Sequence, residues 1–148
     1  MNNVNTQLRI YVSKKYFSLF VEITRGLFQQ NSEFFMLCTF LGEKKGRKIP
    51  LEKRYELCRV ITLSEYDNIA IKSLYLKEFD TVGSHKDMIQ LAEQYANGGV
   101  TYLIENTLKD YVYQDEDGNW HLKLNITIKQ LYQNLIDYVL KEIQGVPF

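Results

Sequence analysis

Residues 7–50 read QLRIYVSKKYFSLFVEITRGLFQQNSEFFMLCTFLGEKKGRKIP, and the switch of hydrophobic period within this run decides the fold. The run opens by alternating: Leu8, Ile10 and Val12 fall on one side and Gln7, Arg9 and Tyr11 on the other, the pattern of a half-buried strand. Ser13 then stands where a helix N-cap belongs. Tyr16, Phe17, Phe20, Val21, Ile23 and Leu27 follow at helical spacing, with Gly26 as a breaker near the end. Asn31 and Ser32 offer a second N-cap, and Glu33 to Leu41 is apolar nearly all round. Such a helix must be covered on several sides, between subunits or beneath another layer, and Gly42 is expected to stop it. The run closes in GEKKGRKIP, whose two glycines and Lys44, Lys45, Arg47 and Lys48 predict an exposed basic loop.

Outward from this unit, the chain is long enough for one domain that buries roughly two-thirds of its unfolded surface. With 45% hydrophobic and 14% aromatic residues it is composed to pack rather than to stay disordered, and two prolines among 148 residues favour long regular elements. The longest apolar run, Phe34 to Leu41, is too short to span a membrane. MNNVNTQLR lacks the pattern of a secretory signal, so a cytoplasmic protein is expected. Cys38 and Cys58 stand alone, without CxxC spacing, and read as apolar thiols rather than as a disulfide or metal site. Net charge is zero but unevenly spread. Residues 1–60 hold eleven Lys and Arg against five Asp and Glu, and residues 61–148 hold seven against thirteen. Either the basic part faces phosphates or an acidic partner, or the two parts neutralise one another inside the fold.

Leu51 to Val60 has a mixed pattern, read as helical. Thr62 to Glu65 has capping-box spacing, and Tyr66, Ile69, Ala70, Leu74 and Phe79 continue it as an amphipathic helix. Ser84 to Asp87 opens another, with Met88, Leu91, Ala92 and Tyr95 inward; Asn97-Gly98-Gly99 should end or kink it before Val100, Leu103, Ile104 and Leu108. Tyr111 to Gln114 and Trp120 to Leu124, joined through Asp115-Glu-Asp-Gly118, predict a hairpin lying against helices. Thr127 caps a last helix with Ile128, Leu131, Tyr132, Leu135, Val139 and Ile143 on one face. Residues 1–6 read as a polar tail.

The chemistry is sparse. His85 and His121 have no Cys, Ser or carboxylate at motif spacing, Asp115 to Asp117 fit a turn better than a calcium loop, and the basic loop lacks the spacing of a P-loop. No catalytic residue, metal ligand or cofactor is expected.

The opening stretch, over about the first 45 residues, resembles the ribbon-helix-helix DNA-binding proteins of the MetJ/Arc superfamily, on its alternating strand, the helix opening at Ser13 and the loop into NSEFF. The resemblance implies a strand paired with its twin across a two-fold axis, with Gln7, Arg9 and Tyr11 facing bases in the major groove. It also places the amides at Ser32 and Glu33 on a phosphate. Residues 26–51 resemble a second signature, that of small bacterial proteins associated with DNA phosphorothioation (Dnd) and related defence islands. The matching residues are Leu27, Phe28, Glu33, Phe35, Leu41, Gly42, Gly46, Arg47, Ile49, Pro50 and Leu51. This implies an accessory role without catalysis.

The expected protein is therefore a mainly α single domain with a basic strand-helix-helix unit over 7–50 and an acidic helical body over 51–148. It is expected to be a homo-oligomeric, non-enzymatic accessory or regulatory protein of a DNA-modification or defence system. It would contact DNA through Gln7, Arg9, Tyr11, Ser32, Lys44, Lys45, Arg47 and Lys48. The alternative is an adaptor or inhibitor whose acidic helical surface binds a larger protein; a nuclease-like enzyme ranks last.

Overall fold

The computed structural model describes residues 7–144, with side-chain surroundings for residues 7–142. The tail over 1–6 and the inward position expected of Ile143 lie outside what is described. The order of elements is β1 (Arg9–Ser13), α1 (Lys14–Leu27), α2 (Asn31–Lys44), β2 (Arg54–Arg59), a 3₁₀ turn (Val60–Thr62), α3 (Glu65–Phe79), α4 (His85–Glu105), β3 (Val112–Gln114), β4 (Trp120–Leu122) and α5 (Ile128–Gln144). The protein is mainly helical, as its sequence pattern predicts, and the described residues form two small two-stranded antiparallel sheets, of which β3–β4 is a hairpin.

The alternation of the opening strand holds, since Ile10 and Val12 are buried, but its partner is β2 of the same chain. Residues 54–59, expected to be helical, are therefore a strand. A bulge explains why the pattern misleads: Ile10 lies opposite Cys58 and Tyr11 opposite Glu56, so Leu57 is an extra residue. Leu57 is also the residue of β2 that turns fully inward, so no alternation is visible along the strand. The other edge of β1 is closed too, because the Tyr11 amide donates to the Glu93 carboxylate of α4 at 2.8 Å. In place of the twin-paired ribbon that the MetJ/Arc resemblance implies, β1 pairs within the chain with β2, across α1 and α2, and its free edge is stopped by a side chain.

The core lies among α1, α2 and α4, where Leu19, Phe20, Ile23, Phe34, Phe35, Cys38, Leu41, Val100 and Leu103 are fully buried. Phe20 meets Phe34 edge to face, with ring centroids 5.2 Å apart. Two expected breaks are absent. Helix α2 runs through Gly42 to Lys44, and α4 runs unbroken through Gly98 and Gly99. These glycines are contact points. A Cβ on Gly42 would overlap the Tyr95 carbonyl, one on Gly99 the Cys38 carbonyl, and one on Gly98 the Arg47 carbonyl. Each glycine costs the helix interior about 1 kcal/mol in propensity, and in return the backbones approach closely enough for the side chains around them to interlock.

Caps differ in detail from the sequence reading. Helix α3 begins two residues late, with Ser64 and Asp67 exchanging the capping-box bonds expected of Thr62 and Glu65. Helix α2 is preceded by Gln30, and Glu33 accepts from the Gln29 and Gln30 amides. Ser13 does precede α1, but its hydroxyl turns inward, donating to Asn97 and accepting from the Glu52 amide. Ser84 caps α4 as expected, and Gly118 supplies the positive φ of the β3–β4 turn.

Candidate functional site

Basic residues come first, since the expected DNA contact rests on them. Loop 45–53 is held down at several points: Asn97 donates to the carbonyls of Ile49 and Pro50, and the Ile49 amide donates to Gln94. Its cations are engaged as well. Arg47 grips Glu105 with both terminal nitrogens, at 2.7 and 3.4 Å, and Lys45 lies 2.9 Å from Glu142. Lys48 pairs with Glu78, which also accepts from the Tyr95 hydroxyl. Lys45 and Arg47 both lie over the Tyr102 ring. The Lys48 contact, then the Tyr95 hydroxyl, holds the Glu78 carboxyl below its ordinary range, and Arg47 does the same for Glu105. Lys45, Arg47, Lys48 and Arg54 of the basic part thus answer carboxylates of the acidic part. Lys44 is half-buried at the end of α2.

The other expected DNA contacts are scattered. Ser32 is buried in the first turn of α2, next to Asn31, whose side-chain Nδ2 donates to the Leu57 carbonyl of β2. Gln7, Arg9 and Tyr11 do come together. They line a cleft of about 180 Å³ with Arg54, Lys86, Gln90 and Glu93. Arg54 stacks over Tyr11 and lies 3.1 Å from Glu93, while Arg9 pairs with Glu56 at 3.1 Å. Glu93 is 3% exposed, and burial pushes its carboxyl up to about 7 against the opposing pull of the Tyr11 amide and Arg54. The sequence reading passed over Glu93, although a carboxylate on the same face as Ile89, Ala92 and Ala96 was a visible signal.

His121 gains partners that sequence spacing hid. Its ring nitrogens lie 3.0 Å from Glu22 and 2.8 Å from Asp115, and the second Glu22 oxygen accepts from the Leu122 amide at 2.7 Å. Glu22, then Asp115, raises the imidazole above its usual value. With both nitrogens engaged, the ring fastens the β3–β4 hairpin to α1 and presents neither a base nor a free ligand. The Asp115 carboxylate also accepts from the amides of Asp117 and Asn119, which makes the acidic run a turn. Burial raises both thiols, Cys58 to about 11, so neither offers a thiolate at neutral pH.

The largest departure from the expected burial lies on α3. Tyr66, Ile69 and Phe79, expected to face inward, are 85%, 55% and 49% exposed. Leu76 beside them and Val82 just beyond the helix are exposed too. The residue α3 buries is Ile71, with Leu74 and Tyr75 half-buried beside it. A helix with apolar residues on both faces has one face without a cover. A smaller apolar groove between α2 and α3, of about 130 Å³, adjoins Phe40 and Ala70. Along α5, Leu131 and Leu135 are buried while Ile128, Tyr132, Ile136 and Leu140 stay exposed. Among the described residues no helix is long and apolar enough to cross a membrane.

Comparison with known proteins finds no matching family model, curated protein or solved structure. The functional reading therefore rests on the geometry of this chain.

Proposed function

We propose that this chain is a non-enzymatic protein-interaction module whose docking face is the outer side of α3, serving as an accessory to a larger assembly such as a DNA-modification or defence system. One observation carries the reading: Tyr66, Ile69 and Leu76 are exposed on the side of α3 that faces away from the buried Ile71. Contiguous apolar surface of this kind marks a binding face. Lys45, Arg47 and Lys48 of the basic loop are engaged by this chain's own carboxylates, and each would have to leave its partner to neutralise a phosphate.

A second reading, nucleic-acid contact through β1, draws on the cleft that Gln7, Arg9 and Tyr11 share with Arg54 and Lys86. Photoreactive residues placed at positions 69 and 11 in living cells separate the two. The module reading expects protein adducts from position 69, no nucleic-acid adducts from position 11, and no shift of duplex DNA at low salt. A DNA shift that weakens with salt and disappears in Arg54→Ala with Lys86→Ala replaces the first reading with the second.

A further inference from the structure

We propose that His121 is a proton-operated latch for the tip of the β3–β4 hairpin: as an imidazolium it ties the tip to α1, and on losing its proton it lets the tip swing away from the body. The geometry at the ring carries this. Nδ1 lies 3.0 Å from a Glu22 oxygen of α1, and Nε2 lies 2.8 Å from an Asp115 oxygen of the turn. An ionised carboxylate only accepts, so both contacts are hydrogen bonds when both ring nitrogens bear hydrogen, which is the charged ring. Neutral imidazole has one N–H. One carboxylate then faces a ring lone pair at hydrogen-bond distance, and the bridge from α1 through the ring to the turn is cut.

The tip has no second tie of this kind. Among the described residues, the other hydrogen bonds of residues 115–119 stay inside the hairpin. Asp115 accepts from the amides of Asp117, Gly118 and Asn119, its own amide donates to the Asn119 carbonyl, and Gln114 donates to the Gly118 carbonyl. The base is held separately. Val112 is buried in the core, the Lys123 amide donates to the Tyr111 carbonyl, and the Leu122 amide donates to the second Glu22 oxygen at 2.7 Å. Two strands of three residues are marginal by themselves, so a hairpin fixed at its base and latched at its tip hinges between the two.

Three groups face the ring: Glu22 from α1, Asp115 from the turn, and the Tyr113 ring of β3, stacked on it with centroids 5.4 Å apart. Both charged neighbours are carboxylates. Glu22, then Asp115, holds the proton on the ring above the ordinary histidine value, so the latch is closed below that raised value and opens as pH climbs through it. Residues Asp117 to Asn119 of the tip also line a cleft of about 250 Å³ with Lys14, Lys15, Glu52 and Lys53. Swinging the tip outward opens that cleft.

The chain carries its own probe. Trp120 is its single tryptophan, stands next to His121 on β4 and packs partly buried against the core. In the full chain, the His121 imidazole is followed by NMR from about pH 6 to pH 9, and acrylamide quenching of Trp120 is measured over the same range. The imidazole should titrate above the value of a free histidine, and the quenching constant should rise about twofold or more through the same titration as the tip opens. Glu22→Gln is the decisive variant. Its amide oxygen can still accept from Leu122 while its NH₂ donates to the neutral ring, so the imidazole titrates lower and the quenching step disappears with the latch closed. His121→Asn, with no proton to lose, should give one quenching constant at every pH. Glu93 titrates in the same range on α4, and a step of its making would persist in both variants. A quenching constant that stays flat through the imidazole titration overturns the latch. So does a step that survives in either variant, or an imidazole that titrates at or below the value of a free histidine.

Discussion

Helices α2 and α3 are drawn from similar material and end in opposite situations. Both are apolar on more than one side. In α2, Phe34, Phe35, Cys38 and Leu41 are fully buried, whereas α3 buries Ile71 and leaves Tyr66, Ile69 and Phe79 in water. The difference lies in the backbone. Gly42 of α2 meets the Tyr95 carbonyl and the Gly99 nitrogen of α4, and Gly99 meets the Cys38 carbonyl of α2, where side chains would hold the helices apart, so α2 becomes sealed between α1 and α4. Helix α3 meets the body through Ile71, Leu74 and Tyr75 and is covered on that side alone. Apolar content thus marks a helix as needing cover, while small residues decide whether its own chain supplies it.

The largest test of this contrast removes the close approach. Gly99→Ala puts a methyl into the Cys38 carbonyl, a backbone atom that cannot swing aside, and forces α2 and α4 apart. Overpacking of a sealed core costs 1 to 3 kcal/mol and occasionally more, and backbone overlap puts this site at about 3 kcal/mol or above. Urea denaturation checks it. Gly46→Ala is the matched control: its Cβ meets nothing within 4 Å, and its φ of 65° limits the expected loss to about 1 kcal/mol. Equal losses at the two positions would remove the glycine seam as the reason α2 is buried.

Next in size is the pH dependence of the α4–β1 contact. Glu93 titrates near 7 in the folded chain and in the ordinary carboxylate range when unfolded, because burial disfavours its charge. The folded state therefore binds this proton more tightly. Its stabilising contribution is complete below the unfolded value and is lost as pH rises through about 7. The swing is on the order of 2 to 3 kcal/mol. His121, raised by Glu22 and Asp115, acts in the same direction, so the test is a difference: Glu93→Gln should flatten stability between pH 5 and pH 8 relative to the parent chain. An unchanged slope would mean that Glu93 is already ionised beside Arg54.

What was legible beforehand divides along the same line. The first strand, α1, α2, the β3–β4 hairpin and α5 were readable because their patterns are local: a period, a cap, an Asp-Gly turn. Strand β2 was not, since the bulge at Leu57 erases its alternation, and Gly42, Gly98 and Gly99 look like breaks until the backbone segments facing them are known. Of the candidate site, Lys45, Arg47 and Lys48 were evident as cations. Their partners Glu142, Glu105 and Glu78 lie far along the chain, and no sequence period links them.

Those pairs give a smaller effect. Arg47→Ala loses a bidentate contact with a half-exposed carboxylate and a place over Tyr102, for about 1 kcal/mol. The loss should shrink as salt is raised in thermal or urea unfolding. A larger loss, insensitive to salt, would assign the effect to the loop backbone packed on Gly98 instead.

The smallest expected change is the most direct probe of α3. Ile71 and Ile69 share a helix and a residue type, yet one is 2% exposed and the other 55%. Ile71→Ala should cost about 2 to 4 kcal/mol at any protein concentration, because it opens a cavity inside one chain. Ile69→Ala removes a side chain that touches mainly water in the monomer, so at high dilution it should alter stability by no more than about 0.5 kcal/mol. A large loss from Ile69→Ala at high dilution would mean that this face belongs to the core of a single chain after all.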